Sequence, residues 1–287
     1  MRPSEARNRD KGTPMKYLHF AALALAASSN IAMAASGNDQ SPSDIAATGT
    51  APAPSDTNSF ELSSGFDYSV GKYGAATDTS VKSVPLEAKA QLGRLRLQAA
   101  LPYVWVKGPG QIVGGVVVGS SNPNAIAARQ GIGDLSLGAA YRVSDEHGAL
   151  PTIELGGSAK LPTAATTLGT GKADYGASVA LYKSVGPKVT LFGSLGYSWL
   201  GSLAAYRLNN GVTGYGGINL RPDAAINLGA SVSYREPVAT GLQGQAAVSP
   251  YMTYRFSQKF GLTAYASAGL NEASPRVGAG LRLTLFQ

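Results

Sequence analysis

Charged side chains recur in this sequence at alternate positions of extended segments that are otherwise rich in Gly, Ser and Ala. Asp134, for example, is followed at two-residue steps by Ser136, Gly138, Ala140 and Arg142. Side chains at such steps point to the same face of a β-strand. We predict that this face encloses a hydrated interior lined by Glu61, Asp67, Glu87, Lys89, Arg94, Arg96, Asp134, Arg142, Glu154, Lys160, Asp174, Arg235, Arg255, Arg276 and Arg282.

These interior charges could do two kinds of chemistry. Opposite charges on neighbouring strands can form ion pairs that hold a wall together, whereas a ring of charges at a constriction can select what passes through it. The mixed signs favour pairing, with Glu154 and Lys160 near the two ends of one segment and Asp134 and Arg142 near the two ends of the preceding one. The set as a whole indicates a hydrated interior, and both interpretations stay open for each residue.

The motifs that catalysis or cofactor binding requires are incomplete. Residues 131–134 begin like a dinucleotide-binding fingerprint, but Ser136 occupies the position of its third Gly; residues 169–172 resemble the end of a phosphate loop, but Ala173 replaces the Ser or Thr that binds magnesium. His147, the one histidine beyond the N-terminal segment, is predicted to lie exposed in a turn. No Ser/His/acid set or metal-ligand spacing is visible, so we predict neither an enzyme nor a metal or cofactor site.

Composition narrows the class of protein further. The 287 residues include no Cys, 36 Gly and a charged fraction of 14%. The absence of Cys excludes disulfide scaffolds and thiolate metal sites and is compatible with an oxidising envelope compartment. Much of the formal charge of +7 comes from the first 16 residues, so the charge is no argument for nucleic-acid binding. Beyond the N-terminus no run of roughly 18 apolar residues occurs, which excludes a polytopic helical membrane protein.

The N-terminal region predicts export. Lys16 begins a basic segment, residues 20–27 form a short apolar core, and Ala32-Met33-Ala34 offers a cleavage site before Ala35. We therefore assign residues 1–34 to an N-terminal extension and a cleaved signal peptide. Residues 35–57 lack large apolar side chains and are predicted to be a disordered periplasmic lead-in. Residues 58–287 remain for one folded domain.

The charges must be positioned by twelve segments in which apolar residues alternate with small or polar ones. They are predicted at residues 59–71, 81–92, 94–106, 131–143, 151–162, 173–185, 189–200, 213–221, 224–235, 246–256, 260–270 and 276–286. The eighth is the weakest, because Tyr215-Gly216-Gly217 interrupts the alternation. The face opposite the charges is apolar and ends in aromatic pairs such as Tyr103 with Trp105 and Tyr197 with Trp199, which suits the interfacial belts of a membrane barrel. A soluble sandwich or lipocalin-like barrel is the alternative, but its water-facing side would carry many more charges.

Connection lengths predict an orientation. Tight turns follow the second, sixth, eighth and tenth segments, a somewhat longer one follows the fourth, and long loops follow most of the others. Short turns at one end and long loops at the other are typical of outer-membrane barrels, whose short turns are periplasmic. An even strand count places both termini in the periplasm. The loop from Lys107 to Gln130 contains the apolar stretch 112–118, which could fold into the lumen or rest on its rim as a gate.

Four motifs occur in an order that resembles a known family. They are Gly131-Ile132-Gly133-Asp134-Leu135, Lys160-Leu161-Pro162-Thr163, Leu168-Gly169-Thr170-Gly171-Lys172-Ala173-Asp174-Tyr175 and Gly196-Tyr197-Ser198-Trp199. Together they resemble the outer-membrane transporters named for the meta-pathway of phenol degradation. The resemblance implies a Gram-negative outer-membrane location, outer-membrane lipid as surroundings, and a passive uptake channel whose solutes are small molecules, aromatic or hydrophobic.

The expectation is therefore an all-β, antiparallel, transmembrane up-and-down barrel of about 12 strands that conducts small molecules. The alternative is a structural or adhesive barrel whose lumen is plugged by its own side chains. One departure concerns the barrel assembly machinery, the expected partner in membrane insertion. Outer-membrane barrels usually end on an aromatic residue, whereas here Gln287 is last and Phe286 is offset by one from the apolar series Leu281, Leu283 and Leu285.

Overall fold

The computed structural model describes residues 58–113, 116–118, 127–202 and 208–287. The predicted signal peptide and lead-in lie outside the described residues. The described part contains no helix long and apolar enough to cross a membrane. Its strands are β1 (Asn58–Gly71), β2 (Thr79–Leu92), β3 (Leu95–Gly108), β4 (Gln111–Val113), β5 (Val116–Val118), β6 (Ala127–Ile132), β7 (Leu135–Ser144), β8 (Thr152–Leu161), β9 (Asp174–Ser184), β10 (Val189–Trp199), β11 (Gly211–Leu220), β12 (Ile226–Arg235), β13 (Gln245–Arg255), β14 (Phe260–Gly269) and β15 (Val277–Phe286).

The strands close into an antiparallel barrel. Every strand from β7 to β15 pairs with its sequence neighbour, β15 pairs with β1, β1 with β2 and β2 with β3. On its other edge β3 completes the barrel by pairing with two strands. Its C-terminal half pairs with β6 and its N-terminal half pairs with β7. Because β6 and β7 together occupy one position in the wall, the barrel has twelve wall strands. The small hairpin β4–β5 forms a separate sheet. The closed antiparallel barrel of twelve wall strands confirms the predicted fold class.

The alternating pattern of the sequence places polar residues inside and apolar residues outside. Arg96, Glu154 and Asp174 are almost fully buried, whereas Leu195 and Leu281 on the outer face are more than half exposed. In water this outer surface would be a large apolar patch, so it suits lipid rather than solvent. The arrangement is the reverse of a soluble barrel, whose apolar side chains point inward.

Aromatic residues mark both ends of the apolar outer surface. The rings of Tyr103 and Trp105 are 4.6 Å apart, and those of Tyr197 and Trp199 are 5.1 Å apart, near the ends of β3 and β10 that lead into long loops. At the opposite end, Phe256 stacks on Phe260 beside a short turn. These positions match the aromatic girdles that flank the apolar band of membrane barrels.

Inside the wall, aromatic rings lie across glycines of the neighbouring strand. A Cβ atom added at Gly229 would lie 2.2 Å from Cζ of its register partner Tyr251, and one added at Gly217 would lie 2.5 Å from the ring of Phe192. Glycine here provides the space in which a large ring can lie flat against the wall. The glycines of β11 that weakened the sequence prediction for this segment therefore support a full strand, Gly211–Leu220.

The fourth predicted segment differs from the prediction, because it is divided. Strands β6 and β7 are separated by Gly133 and Asp134, and the register with β3 shifts by one residue there. Pro102 of β3 lies at the same level and has no N–H to donate to the neighbouring strand. Proline opposite a glycine-containing bulge is a common way to interrupt a ladder.

Candidate functional site in the barrel lumen

The inward-facing charges form three clusters. The lower cluster, nearest the short turns, consists of Arg96 on β3, Arg142 on β7 and Glu154 on β8. Arg96 donates two hydrogen bonds to the Glu154 carboxylate, at 3.2 and 2.6 Å, and Nε of Arg142 lies 3.8 Å from the same carboxylate. Each of the three side chains is at least 96% buried. Two cations on one carboxylate give this cluster a net charge of +1.

The upper cluster joins three wall strands to the long loops. Nζ of Lys160, on β8, lies 3.0 Å from Asp134 and 2.8 Å from Asp174 at the start of β9. Asp134 also accepts a hydrogen bond from the backbone N–H of Ala164, and Asp174 accepts one from that of Gly201. Two carboxylates on one lysine give a net charge of −1, and the same carboxylates hold the loops that follow β8 and β10.

The closing cluster spans the strands where the barrel closes on itself. Arg282 of β15 donates hydrogen bonds to Asp67 of β1 and Glu87 of β2, and Nζ of Lys89 lies 3.9 Å from Glu87. The hydroxyl of Tyr265 donates to Asp67. The cluster is neutral overall and connects β14, β15, β1 and β2 through side chains as well as through the backbone ladder.

The remaining candidates lie apart from these clusters. Arg235 is buried at the long-loop end, and the guanidinium of Arg255 lies 3.9 Å above the ring of Phe286 at the short-turn end. Arg94 differs from the prediction: it lies at the turn after β2, pairs with Asp145, and its side chain is 39% exposed. Arg276, which pairs with Asp78, is likewise at the rim, with 61% of its side chain exposed. Both positions are strand ends, where alternation no longer fixes an inward direction.

At the long-loop end, which we call the mouth, described apolar residues of the loops and strands pack into two clusters. Val117 of the β4–β5 hairpin is buried in a cluster with Tyr73, Val81, Val104, Val106 and Leu168. Val118 packs against a second cluster of Leu200, Leu208 and Val238. Nε2 of Gln245 donates hydrogen bonds to the carbonyl of Val117 and to that of Ala273, at 3.2 and 2.8 Å. Of the apolar stretch noticed in the sequence, Ile112, Val117 and Val118 thus pack against residues at the inside of the mouth.

A cavity of about 190 Å³ lies beside the hairpin. Val117, Val118, Val238 and Leu242 supply its apolar lining, and Arg235, Glu236, Gln245 and Glu272 supply polar groups. A concave site that combines apolar side chains with convergent polar groups is suited to a small molecule. Alternation carries no signal for Gln245 or Tyr73 in this role, since Gln245 is the first residue of β13 and Tyr73 lies in the turn after β1.

The residues that the sequence analysis considered for catalysis or metal binding do not come together as a site among the described residues. His147 is exposed in the turn between β7 and β8, where its backbone pairs with Leu150. Among the described residues, no three His, Asp or Glu side chains are grouped so that they could hold a metal ion.

Several solved structures resemble this barrel. An outer membrane channel from Pseudomonas putida F1 superposes with a TM-score of 0.58 at 14% identity, covering 80% of this chain and 94% of that one. The KdgM porin gives a TM-score of 0.47 at 7% identity and coverages of 79% and 98%. The toluene transporter TodX of Pseudomonas putida gives 0.39 at 12% identity and coverages of 92% and 96%. The first of these likenesses supports the barrel fold.

The sequence itself identifies the family. No curated protein matches the chain. A family described as "Putative MetA-pathway of phenol degradation" matches residues 51–285, which include all but the last residue of the barrel strands and the four motifs noted above. The chain belongs to this family of outer-membrane barrels.

Proposed function

We propose that the barrel is a passive channel for small molecules in the outer membrane of a Gram-negative cell. The observation that carries the proposal is a polar, charge-lined interior within an apolar outer wall, with a cavity at the mouth that could admit a solute. The short turns and both chain termini of the barrel domain lie at the same end of the barrel, as expected for a periplasmic face. The mouth then faces the outside of the cell, and the hairpin β4–β5 is its gate.

The dimensions of the cavity favour a single-ring or similarly small solute, and its mixed lining suits one with both apolar and polar parts. A closed apolar cavity of about 150 Å³ is sufficient to bind benzene, and the cavity at the mouth is somewhat larger, at about 190 Å³. Its polar groups offer hydrogen bonds to a hydroxyl or amine substituent. The family's association with phenol degradation supports the same class.

A second candidate function is a structural or adhesive barrel with a plugged lumen. The observation that favours it is the near-complete burial of Val106, Arg142, Glu154 and Tyr182 inside the wall. Side chains buried to this degree leave no water-sized path beside them, so a channel must either pass elsewhere in the lumen or open by moving some of them.

Conductance separates the two functions. The barrel, refolded in detergent and inserted in a planar bilayer, should give discrete current steps in potassium chloride, and loaded liposomes should release phenol-sized solutes. Absence of both current and solute flux would favour the plugged barrel. If the wild-type gate stays closed, conductance is measured on the Gln245→Ala variant, which lacks the hydrogen bond that holds the β4–β5 hairpin.

The export route is part of the proposal and has its own test. We infer cleavage before Ala35, a periplasmic lead-in over residues 35–57, and insertion by the barrel assembly machinery into outer-membrane lipid. Mass spectrometry of the protein purified from outer membranes should give a mature N-terminus at Ala35. An intact N-terminus in the same fraction would contradict the leader assignment.

A further inference from the structure

The outward face of the barrel wall carries few charges. On the described wall strands, the charged residues at outward positions are Lys82 on β2, Lys107 on β3 and Lys183 on β9. Lys183 lies at the short-turn end, where it pairs with Glu146. Lys82 and Lys107 are exposed and lie near the mouth. Because a charge on the lipid-facing side of a barrel is costly at the bilayer centre, these two lysines indicate the level of a membrane interface.

Lys82 and Lys107 are neighbours across the β2–β3 ladder, and we call them the outer lysine pair. Lys82 is the register partner of Trp105, and Lys107, two residues farther along β3, is the partner of Ser80. Residues in this diagonal relation on one face of an antiparallel pair lie about 7–8 Å apart. Two flexible ammonium groups at that spacing can reach the same phosphate, or two phosphates of one headgroup.

The described part of the protein does not neutralise the outer lysine pair. Among the described residues, the lysines in ion pairs are Lys89, Lys160 and Lys183. Asp78, the carboxylate closest to Lys82 in the sequence, pairs with Arg276. Lys72, exposed in the turn after β1 at the same end of the wall, adds a further positive charge. This side of the mouth therefore presents an excess of positive charge to its surroundings.

The surface around the outer lysine pair suits a lipid. Tyr68 and Trp105, the register partners of Lys82 on its two sides, are exposed aromatic residues of the kind that mark a membrane interface. Toward the middle of the wall, the same face of β2 continues with Val84 and Leu86, which are also exposed. A lipid whose headgroup contacts the lysines would lay its acyl chains on this apolar strip.

We propose that the outer lysine pair binds the phosphate groups of a glycolipid of the lipid A type in the outer leaflet. In the orientation proposed above the mouth faces the outside of the cell, and the leaflet on that side consists of phosphorylated glycolipid. The site goes beyond the channel function and rests only on this orientation. A lysine near an anionic membrane surface strengthens binding about fivefold, so both members of the pair contribute to the affinity.

Native mass spectrometry of the folded barrel in detergent tests the site. Apparent dissociation constants are measured by titration with bisphosphorylated lipid A, with the same lipid after enzymatic dephosphorylation, and with phosphatidylglycerol. The variant Lys82→Met with Lys107→Met removes both charges and keeps the length of the side chains. The matched control is Lys188→Met with Lys259→Met, two exposed lysines in short turns at the opposite end of the barrel.

Loss of both charges should weaken binding of lipid A at least about tenfold, and dephosphorylation of the lipid should weaken its binding to the wild type by a similar factor. The control variant should stay within about twofold of the wild type. Lys82→Arg with Lys107→Arg keeps both charges and should bind as the wild type does, which separates loss of charge from an effect on folding.

Equal affinity of the wild type and the Met variant at the outer lysine pair would overturn the proposal. Wild-type binding of phosphatidylglycerol or of dephosphorylated lipid A as tight as that of lipid A would overturn it as well. Because lipid binding is measured without ion flow, a barrel that binds lipid A but conducts no ions contradicts the channel function alone, and a conducting barrel without this binding contradicts the lipid site alone.

Discussion

At the scale of single residues, Lys160 balances two buried carboxylates. It lies within ion-pair distance of both Asp134 and Asp174, and all three side chains are largely buried. We expect Lys160→Met to lower the free energy of unfolding by about 3–5 kcal/mol, because removing one partner leaves uncompensated charge inside the protein. Urea unfolding in detergent micelles measures the effect.

The control for this substitution is Lys188→Met, in the exposed turn between β9 and β10. It removes the same charge without a buried partner and should change stability by less than about 0.5 kcal/mol. Equal losses in the two variants would show that the Lys160 bridge contributes nothing specific.

A second residue-scale effect concerns pH and the turn between β7 and β8. The hydrogen bond from Lys183 Nζ to Glu146, at 2.8 Å, together with bonds from the N–H of Ser184, lowers the pKa of the Glu146 carboxyl. A lowered pKa in the folded state means that the carboxylate stabilises the fold above its ordinary pKa of about 4.3, and that this contribution disappears as the pH falls through the lowered value.

Glu146→Gln should therefore destabilise the barrel at pH 7 by about 0.5–1 kcal/mol, as for other partly exposed ion pairs, and by less at pH 3. Urea unfolding of wild type and variant at the two pH values gives the comparison. Lys183→Met completes a double-mutant cycle, in which coupling should be present at pH 7 and reduced at pH 3. Coupling that is equal at both values would contradict the assignment.

At the scale of strands, the periodicity of the sequence was sufficient to predict the barrel. Eleven of the twelve predicted segments correspond to single wall strands, because a wall with lipid on one side and water on the other imposes period-two alternation on each of them. The split of the fourth segment was not predictable from alternation, since it arises from Pro102, which belongs to a different strand. Likewise, Asp134 and Lys160 could be assigned to the lumen, but their bridge to Asp174 depends on the pairing of three strands.

The pairing of rings with glycines makes a prediction about two strand glycines. Gly229→Ala would place a Cβ within 2.2 Å of the Tyr251 ring, whereas at Gly157 the nearest atom to an added Cβ is 3.9 Å away. We expect Gly229→Ala to cost about 1–3 kcal/mol, as overpacking does, because Tyr251 must leave the wall and lose its hydrogen bond to Asn219. Gly157→Ala should be nearly neutral, and urea midpoints of the two variants decide between these outcomes.

The hairpin β4–β5 makes a prediction about gating. Gln245 joins it to the opposite side of the mouth through the carbonyl of Val117. Gln245→Ala should increase the fraction of time spent in a conducting state several-fold, because each hydrogen bond of this kind contributes about 0.5–1.5 kcal/mol. Single-channel recording measures that fraction. Gln243→Ala, in the loop that precedes β13, is the control, and an equal increase there would indicate general loosening of the mouth.

At the scale of the whole molecule, the charges of the lumen nearly cancel. The lower, upper and closing clusters carry +1, −1 and 0, and Arg235 and Arg255 against Glu61 leave a small positive excess. A channel with this interior should discriminate only weakly between small ions, with a chloride-to-potassium permeability ratio of about 1–3.

Lys89→Glu, which reverses one inward charge, should move the reversal potential toward cation preference. Lys82→Glu lies on the same strand but faces outward at the rim, and it should leave the reversal potential nearly unchanged. Equal shifts for the two variants would mean that the ions do not pass the closing cluster, and strong selectivity in the wild type would mean that the three clusters do not cancel along the path.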